Sequence, residues 1–279
     1  MRFQADHDLH MHSYISPCAG HDMRWTPQAI LTYGIASGLK LVGITDHIWD
    51  KKVKTTCRTW ADLGLDLEKG REILPLPQSK LCKMLFGIEV DMDYLGNIAV
   101  SKEEMDSFDL LVLSPSHMHM KGWQIDPNQI GESPQEHKQY YIERLNRFFD
   151  LDLPFEKCGL SHFTTCLTCT CDPIGMFRLF TDEEYREIFG KAAELGIGVE
   201  LNLYEDWLGT PPEDWDELLR PYRIAKSVGC RFYFASDAHT PEEIVGKKAF
   251  WEELIDMLDL QESDKFPLIA KHLAEAGIE

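Results

Sequence analysis

Histidine and carboxylate residues follow short apolar runs at six points of this 279-residue chain. The six segments are residues 8–12, 43–47, 87–91, 113–117, 160–162 and 235–239. Imidazole and carboxylate groups bind zinc, manganese and iron, and apolar runs that end in polar groups are typical of the strands of a parallel barrel. Together the six segments predict a metal-dependent enzyme with its chemistry at the carboxyl ends of the strands.

Two pairs of these residues share a two-residue spacing. His10 and His12 follow the first apolar run, and Asp237 and His239 follow the last. Residues two apart point to the same side of a strand, so each pair could share one ion, and Asp8 is expected to face that side too. Because the first and last strands adjoin in a closed barrel, the two pairs are expected to meet around one site.

Further candidate ligands follow the intervening strands. Glu89 offers two oxygens that could bridge neighbouring ions, and His47, His117 and His162 each add an imidazole. Asp46 points away from His47 and is interpreted as a residue that orients a metal ligand. Eight candidate donors exceed the needs of one tetrahedral ion. They predict two or three divalent ions, with Zn, Mn or Fe favoured over Ca or Mg.

Alternating strands and helices are expected to position these residues. Strands are predicted at residues 6–10, 40–45, 84–90, 110–113, 158–161, 197–202 and 231–236. Helices are predicted at residues 27–37, 134–149, 182–195, 213–227, 241–258 and 264–276, and residues 50–80 as a long irregular loop over the barrel mouth. Since candidate ligands occur along the whole series, we expect an α/β fold with a closed barrel in one domain, residues 1–279.

Composition limits the class of partner. The net charge of -19 argues against a nucleic-acid polymer, although bound cations can reverse the local charge for a small phosphorylated substrate. No apolar run approaches the roughly 20 residues that cross a bilayer, and no signal peptide is recognisable. Eight cysteines without such a signal favour reduced thiols and a cytoplasmic location, with no membrane partner.

Four of the motifs, at residues 8–12, 43–47, 87–91 and 236–239, resemble those of the PHP (polymerase and histidinol phosphatase) family in type and order. The resemblance extends from residue 8 to about residue 240. It implies a distorted seven-stranded barrel related to TIM barrels, with a trinuclear metal site. It also implies phosphoester hydrolysis by a metal-bound hydroxide. The length of the chain is similar to that of the stand-alone phosphatases of the family.

The resemblance further implies how the ligands divide among three ions. They would be His10, His12 and Asp237 at the first ion, Glu89 bridging to a second ion held by His117 and His162, and His47 with His239 at the third. Where the family adds a histidine to the third site, this chain has Cys18, with His21 three residues later. Cys18 as a thiolate would favour zinc, His21 could substitute, or the third ion binds weakly.

The predicted substrate is a small phosphomonoester, with histidinol phosphate as the first candidate. Side chains that could bind it are Arg178, Lys121, His119 and His21. A phosphodiesterase or nucleotide phosphatase with the same metals is one alternative, and a non-catalytic metal-binding regulatory domain is another.

A group of three cysteines, Cys166, Cys169 and Cys171, follows His162. It could hold a structural ion, but closed zinc sites usually need four ligands, commonly from two such groups, and no second group is present. Loop thiols near the active site are therefore the favoured interpretation. Three histidines outside the motifs are expected at the surface: His7, His137 and His272.

Overall fold

Seven parallel strands, arranged in chain order, curve into a barrel. The structure is a computed structural model, and it describes residues 1–128, 133–202 and 211–278. The strands are β1 (His7–Asp8), β2 (Leu41–Ile44), β3 (Lys83–Asp91), β4 (Leu110–Ser114), β5 (Cys158–Leu160), β6 (Gly198–Leu201) and β7 (Arg231–Phe234). Next to β1 and β7, the Leu9 amide donates to the Phe234 carbonyl (3.0 Å) and the Asp237 amide to the His10 carbonyl (2.8 Å). These bonds join the first and last strands, so the predicted α/β barrel is confirmed.

The helices lie between and after these strands. They are α1 (Pro27–Ala36), α2 (Leu67–Gly70), α3 (Pro134–Phe149), α4 (Pro173–Arg178), α5 (Asp182–Leu195), α6 (Pro212–Ser227), α7 (Lys247–Met257) and α8 (Pro267–Ala276). Thr26 caps α1 by accepting from the Ala29 amide, and Ser133 and Thr181 begin α3 and α5 in reciprocal capping boxes. Every helix among the described residues is too short or too polar to span a lipid bilayer.

The barrel interior is filled at the end opposite the predicted site. Leu41, Leu85 and Leu110 are fully buried there and pack against apolar residues at the start of α8. A Cβ atom on Gly198 would lie 2.7 Å from the Phe266 ring, so glycine is what lets this ring approach the sheet. Access to the barrel axis is therefore left at the carboxyl ends of the strands.

Two connections of the barrel differ from the regular strand–helix repeat. The segment 50–80, predicted to be irregular, contains α2 and two short 3₁₀ turns, and β3 leads to β4 through a 3₁₀ turn, Lys102–Ser107. Asp66 caps α2 by accepting from the Lys69 amide (2.9 Å). These connections carry no long helix, which accounts for the distorted form of the barrel.

One further helix was not predicted, and two predicted helices begin later than expected. α4 was not predicted, although Asp172 and Pro173 form a standard start, with the Asp172 carboxylate accepting from the Gly175 amide (2.9 Å). α7 begins at Lys247 rather than at residue 241, because Gly246 adopts a left-handed φ of 82° immediately before it. α8 begins at Pro267 rather than at residue 264, after a 3₁₀ turn.

A buried arginine connects α3 to the mouth of the barrel. Arg144 is fully buried, and its guanidinium donates to the carbonyls of Pro115 (2.9 Å), Met92 (3.0 Å) and Gln124 (2.7 Å). It also donates to the side-chain oxygen of Gln124 (2.7 Å). Since Met92 and Pro115 directly follow β3 and β4, this one side chain fixes the two strand ends relative to α3.

Candidate metal centre

Glu89 lies at the centre of a cluster of buried histidines. It sits on β3 on the same side as Leu85, so its side chain points into the barrel, and it is 1 % exposed. The Nε2 atoms nearest its carboxylate oxygens belong to His47 (3.1 Å), His162 (3.2 Å), His12 (3.3 Å), His10 (3.4 Å) and His117 (3.5 Å). The structure thus brings five of the predicted histidine ligands around a sixth predicted ligand, Glu89.

The opposite nitrogen of most rings is held by a second polar group. His10 Nδ1 lies 2.9 Å from Glu200, and His162 Nδ1 lies 2.7 Å from the Ser116 hydroxyl. Asp91 lies 2.8 Å from His47 Nδ1 and 3.1 Å from His117 Nδ1. These partners orient the rings so that Nε2 faces Glu89.

Asp237 and His239, from the segment after β7, reach the same cluster. Asp237 Oδ1 lies 3.0 Å from His12 Nε2 and 3.5 Å from His10 Nε2. The His239 ring stacks on His12 with centroids 4.4 Å apart, and its Nδ1 lies 2.7 Å from the Asp237 carbonyl. The expected meeting of the first and last pairs is therefore seen in the structure.

The donor atoms form groups of a size that suits a metal ion. In each of three groups the ligand atoms lie within 4.8 Å of one another: His10, His12 and Asp237; His47, Glu89 and His117; His12, Cys18 and His47. Two ligands that share a tetrahedral zinc at about 2.1 Å are roughly 3.4 Å apart, close to the distances seen here. Within the described residues, His10 Nε2, His12 Nε2 and Glu89 Oε2 are buried without a hydrogen-bond partner. Buried polar atoms that converge in this way fit a bound cation.

The electrostatics of the metal-free cluster favour protonated histidines. Burial alone would lower the pKa of His47, but the charges of Glu89 and Asp91 outweigh it and raise this pKa to about 9. Burial likewise opposes charge on His239, whose pKa is nevertheless raised to about 10 with help from Cys18, Glu243 and Asp237. In the metal-free protein, protons on the histidine rings therefore balance the negative charge of the carboxylates, a role that a bound cation could take over.

Metal binding to the metal-free protein at pH 7.5 is expected to release protons. This pH is below the raised pKa values of His47 and His239, about 9 and about 10, so both rings are protonated. A cation that binds these rings must displace their protons. Affinity should therefore rise with pH up to about that range. Calorimetric titration with Zn²⁺ in buffers of different ionisation enthalpy measures the protons released, and equal heats in all buffers would contradict the expectation.

Cys18 and His21 occupy different environments. The Cys18 thiol lies with the His12 and His47 ring nitrogens in one of the three groups, and it is 2.8 Å from the Ser16 hydroxyl. Desolvation opposes ionisation of this thiol, but the charge of His12 and hydrogen bonds from His12 and His239 hold its pKa well below the usual range. His21 is exposed, and its ring contacts the Tyr14 carbonyl (3.3 Å). Of the two, Cys18 is the residue placed at the cluster.

The two aspartates beside the first motifs have different positions. Asp46 accepts hydrogen bonds from the Ser13 amide and hydroxyl (both 2.7 Å) and lies 4.0 Å from His12 Nδ1, so it fixes the turn that carries His12. Asp8 accepts from the Ser236 amide (2.9 Å) and from the Tyr33 hydroxyl (3.2 Å). The expectation that Asp8 faces the histidines was wrong, because β1 ends at Asp8 and strand alternation does not continue to His10.

A cleft of about 170 Å³ opens over the cluster. Besides the ligand candidates, its walls include Trp60, His119, Met120 and Leu167. Trp60 stacks on His47 with centroids 4.5 Å apart and donates to Asp91 (2.5 Å), so the segment 50–80 does contribute to the mouth. Burial and the charge of His117 lower the pKa of His119 to about 4, which leaves its ring neutral at pH 7.

The basic side chains proposed to bind substrate lie elsewhere. Arg178, at the end of α4, pairs with Asp214, and Lys121 is exposed. Neither is among the residues that line the cleft, and its described lining contains no Lys or Arg. Both His119 and Lys121 follow β4, but only His119 lines the cleft, because the chain turns between these two residues.

Glu200 was not identified from the sequence. It lies on β6, is fully buried, and contacts His10 Nδ1, the Tyr233 hydroxyl (3.0 Å) and the His162 amide (3.2 Å). The sequence feature that could have identified Glu200 is a single carboxylate within the mostly apolar strand predicted at residues 197–202. Asp91, the last residue of the predicted segment 87–91, was also given no role from the sequence, and it lies beside the Nδ1 atoms of His47 and His117.

Replacement of Glu200 by glutamine is expected to weaken metal binding about 10- to 100-fold, a range typical for residues that orient a ligand. The amide keeps the shape of the side chain but removes the charge that faces His10 Nδ1. Competition with a chelator of known affinity measures the change. Glu194→Gln, which alters an exposed residue of α5, is the control, and equal affinity in both variants would refute the orienting role.

Three histidines expected at the surface are buried instead: His7, His137 and His272. His7 Nε2 accepts from the Phe234 amide (2.9 Å) where β1 meets β7. His272 Nδ1 lies 3.0 Å from Lys83 Nζ. Their burial follows from packing between distant segments, which local sequence context did not indicate.

Comparison with known proteins shows a likeness of fold. No protein-family model and no curated protein matches the chain. A provisionally assigned histidinol phosphatase from Listeria monocytogenes superposes with a TM-score of 0.59 at 17 % identity, over 88 % of this chain and 99 % of that one. Histidinol phosphate phosphatase from Lactococcus lactis, solved with zinc, L-histidinol and phosphate, gives 0.51 at 15 % identity, over 94 % and 98 %. The chain therefore shares the barrel fold of these proteins.

Proposed function

We propose that this chain is a metal-dependent phosphatase of the PHP type that hydrolyses a small phosphomonoester. The observation that supports it most is Glu89, a buried carboxylate within 3.5 Å of five imidazole nitrogens, with further donors from Asp237 and Cys18 around it. The shared fold of two histidinol phosphatase structures supports the same function.

Two or three divalent ions, of Zn, Mn or Fe, would be held by residues that the structure groups together. His10, His12 and Asp237 would hold the first, and Glu89 would bridge to a second near His117 and His162. His47, His239 and Cys18 would hold the third. In the structure His47 is grouped with Glu89 and His117 as well as with Cys18, so it lies between the second and third positions.

Bound divalent ions would supply Lewis acidity and lower the pKa of water, which provides a nucleophile at neutral pH. The chain itself positions the reactants. Asp91 and Glu200 lie against the outer nitrogens of histidine rings, and Asp46 fixes the turn that carries His12. Trp60 and Leu167 line the cleft. His119, neutral at pH 7 and in the cleft wall, is placed to hydrogen-bond a substrate oxygen.

The absence of Lys and Arg from the described lining bears on how phosphate would be bound. The lining also includes the carboxylates of Glu89 and Asp237, so the positive charge that attracts an anion would come from the histidines and the bound metal. A small monoester suits the volume of about 170 Å³, and histidinol phosphate is the first candidate. The Lactococcus structure, which contains L-histidinol and phosphate, supports that choice.

The test compares three substrates with Zn²⁺ or Mn²⁺ added to metal-free protein: p-nitrophenyl phosphate, histidinol phosphate and a cyclic nucleotide. We expect phosphate release from both monoesters, faster from histidinol phosphate, and no opening of the cyclic diester. Turnover confined to the cyclic nucleotide would favour a phosphodiesterase. Stoichiometric metal binding with no turnover on any phosphoester would favour a non-catalytic metal-binding domain.

A further inference from the structure

A second group of metal-binding side chains lies outside the cluster around Glu89. His137, in the first turns of α3, meets Cys169 and Cys171 from the segment before α4, and one ligand atom of each lies within 4.8 Å of the others. The two sulfur atoms are 3.3 Å apart. Sequence alone had suggested that these thiols belong to a loop without a metal, because no further ligand was visible near them.

The histidine is the observation that points to a ligand. His137 is 6 % exposed, and its Nδ1 atom is buried without a hydrogen-bond partner in the described structure. A buried ring nitrogen is normally satisfied, and leaving it unpaired costs about 1–3 kcal/mol. One nitrogen of the same ring lies within 4.8 Å of two thiols, the softest ligands that a protein offers.

The geometry needs little adjustment to accept an ion. Two thiolates that share a tetrahedral zinc at about 2.3 Å are roughly 3.8 Å apart, so the sulfur atoms would separate by about half an ångström. Cys169 is fully buried whereas Cys171 is exposed, so Cys171 has room to move and solvent can supply a fourth ligand. A disulfide between Cys169 and Cys171 would leave His137 Nδ1 unpaired, which favours a metal.

We propose that His137, Cys169 and Cys171 form a zinc site with three protein ligands, separate from the cluster around Glu89. The ion would join the start of α3 to the segment between His162 and α4. That segment also carries Leu167 in the wall of the cleft, so zinc would hold one side of the entrance in place. The site does not depend on the proposed phosphatase activity.

The test uses Co²⁺, whose bonds to thiolate give a charge-transfer band in the near ultraviolet. Because Cys18 is another thiol near metal ligands, the experiment starts from Cys18→Ser protein, made metal-free under reducing conditions and titrated with Co²⁺. We expect a thiolate band that saturates at about one ion per chain for this site. The band should disappear in Cys18→Ser protein that also carries Cys169→Ser and Cys171→Ser.

Single-histidine variants in the same Cys18→Ser background form a matched pair. His137→Asn is expected to weaken Co²⁺ binding, followed through the thiolate band, by about tenfold or more, because the variant loses one of three protein ligands. His272→Asn changes an equally buried histidine with an unpartnered Nε2, outside every cysteine group among the described residues, and should leave the band unchanged. Circular dichroism shows whether each variant is folded.

Two results would overturn the proposal. One is a thiolate band that persists without Cys169 and Cys171, or that never forms in Cys18→Ser protein. The other is a disulfide between Cys169 and Cys171 in place of a metal site. In that case protein purified without reductant would lack two titratable thiols, and the reduced protein would fail to bind zinc or Co²⁺ at these cysteines. Neither result changes the phosphoester assays, so failure of this site and failure of the proposed function can be distinguished.

Discussion

Replacement of Glu89 by glutamine is expected to reduce kcat/KM on phosphomonoesters by at least about 1,000-fold. The proposed role of the carboxylate is to bridge two ions, and loss of such a bridge removes several kcal/mol of transition-state stabilisation at about 1.36 kcal/mol per tenfold change. Glutamine has nearly the same shape, but its amide nitrogen cannot bind a cation. Steady-state assays and elemental analysis should show lower activity together with less bound metal.

The control for this variant is Glu103→Gln, which neutralises an exposed carboxylate that is not among the residues lining the cleft. It should match the unmodified protein in both measurements. Full metal content with undiminished turnover in the Glu89 variant would remove this carboxylate from the proposed chemistry. The unfolding temperature of the Glu89→Gln variant should be compared with that of the unmodified protein, both metal-free, so that a folding defect is not mistaken for a lost ligand.

Replacement of Arg144 by methionine is expected to destabilise the protein by about 3 kcal/mol. The side chain donates to four buried oxygens of Pro115, Met92 and Gln124, and each acceptor left unpaired costs about 1–3 kcal/mol. Release of the buried guanidinium charge offsets part of this loss. For a chain of this size the change corresponds to a fall of about 5 °C in Tm, measurable by thermal unfolding of the metal-free protein.

Arg147→Met on the same helix provides the comparison. Arg147 is exposed and makes one long contact, 3.3 Å, with the Tyr94 carbonyl. Its loss should change Tm by no more than about 2 °C, since surface substitutions are usually worth less than 0.5 kcal/mol. A similar small change for Arg144→Met would mean that water replaces the guanidinium at the strand ends.

The strands and the residues that follow them could be predicted from the sequence because their signals are local. An apolar run ending in His or Asp identifies both the strand and the candidate ligand, as for His47 after β2 and His117 after β4. The helix predicted at residues 182–195 likewise begins at Asp182, where Thr181 and Glu184 form a capping box. Closure of the barrel then brought the first and last motifs together as expected.

The residues that were missed depend on contacts between distant segments. Glu200 was not identified because its role depends on a contact with His10, which is distant in the sequence. His137 was placed at the surface because nothing near it in the sequence reveals Cys169 and Cys171. Short helices such as α2 and α4 were missed for another reason: their few residues give too little periodicity to recognise.

The hydrogen bonds beside β1 and β7 determine when the proposed metal centre can exist. Asp237 and His239 lie more than 220 residues after His10 and His12, so they leave the ribosome much later. The proposed first ion would therefore have its full set of donors only after synthesis has passed Asp237 and the barrel has closed. A nascent or truncated chain would hold no hydrolytic centre, so synthesis itself would delay catalysis until the fold is complete.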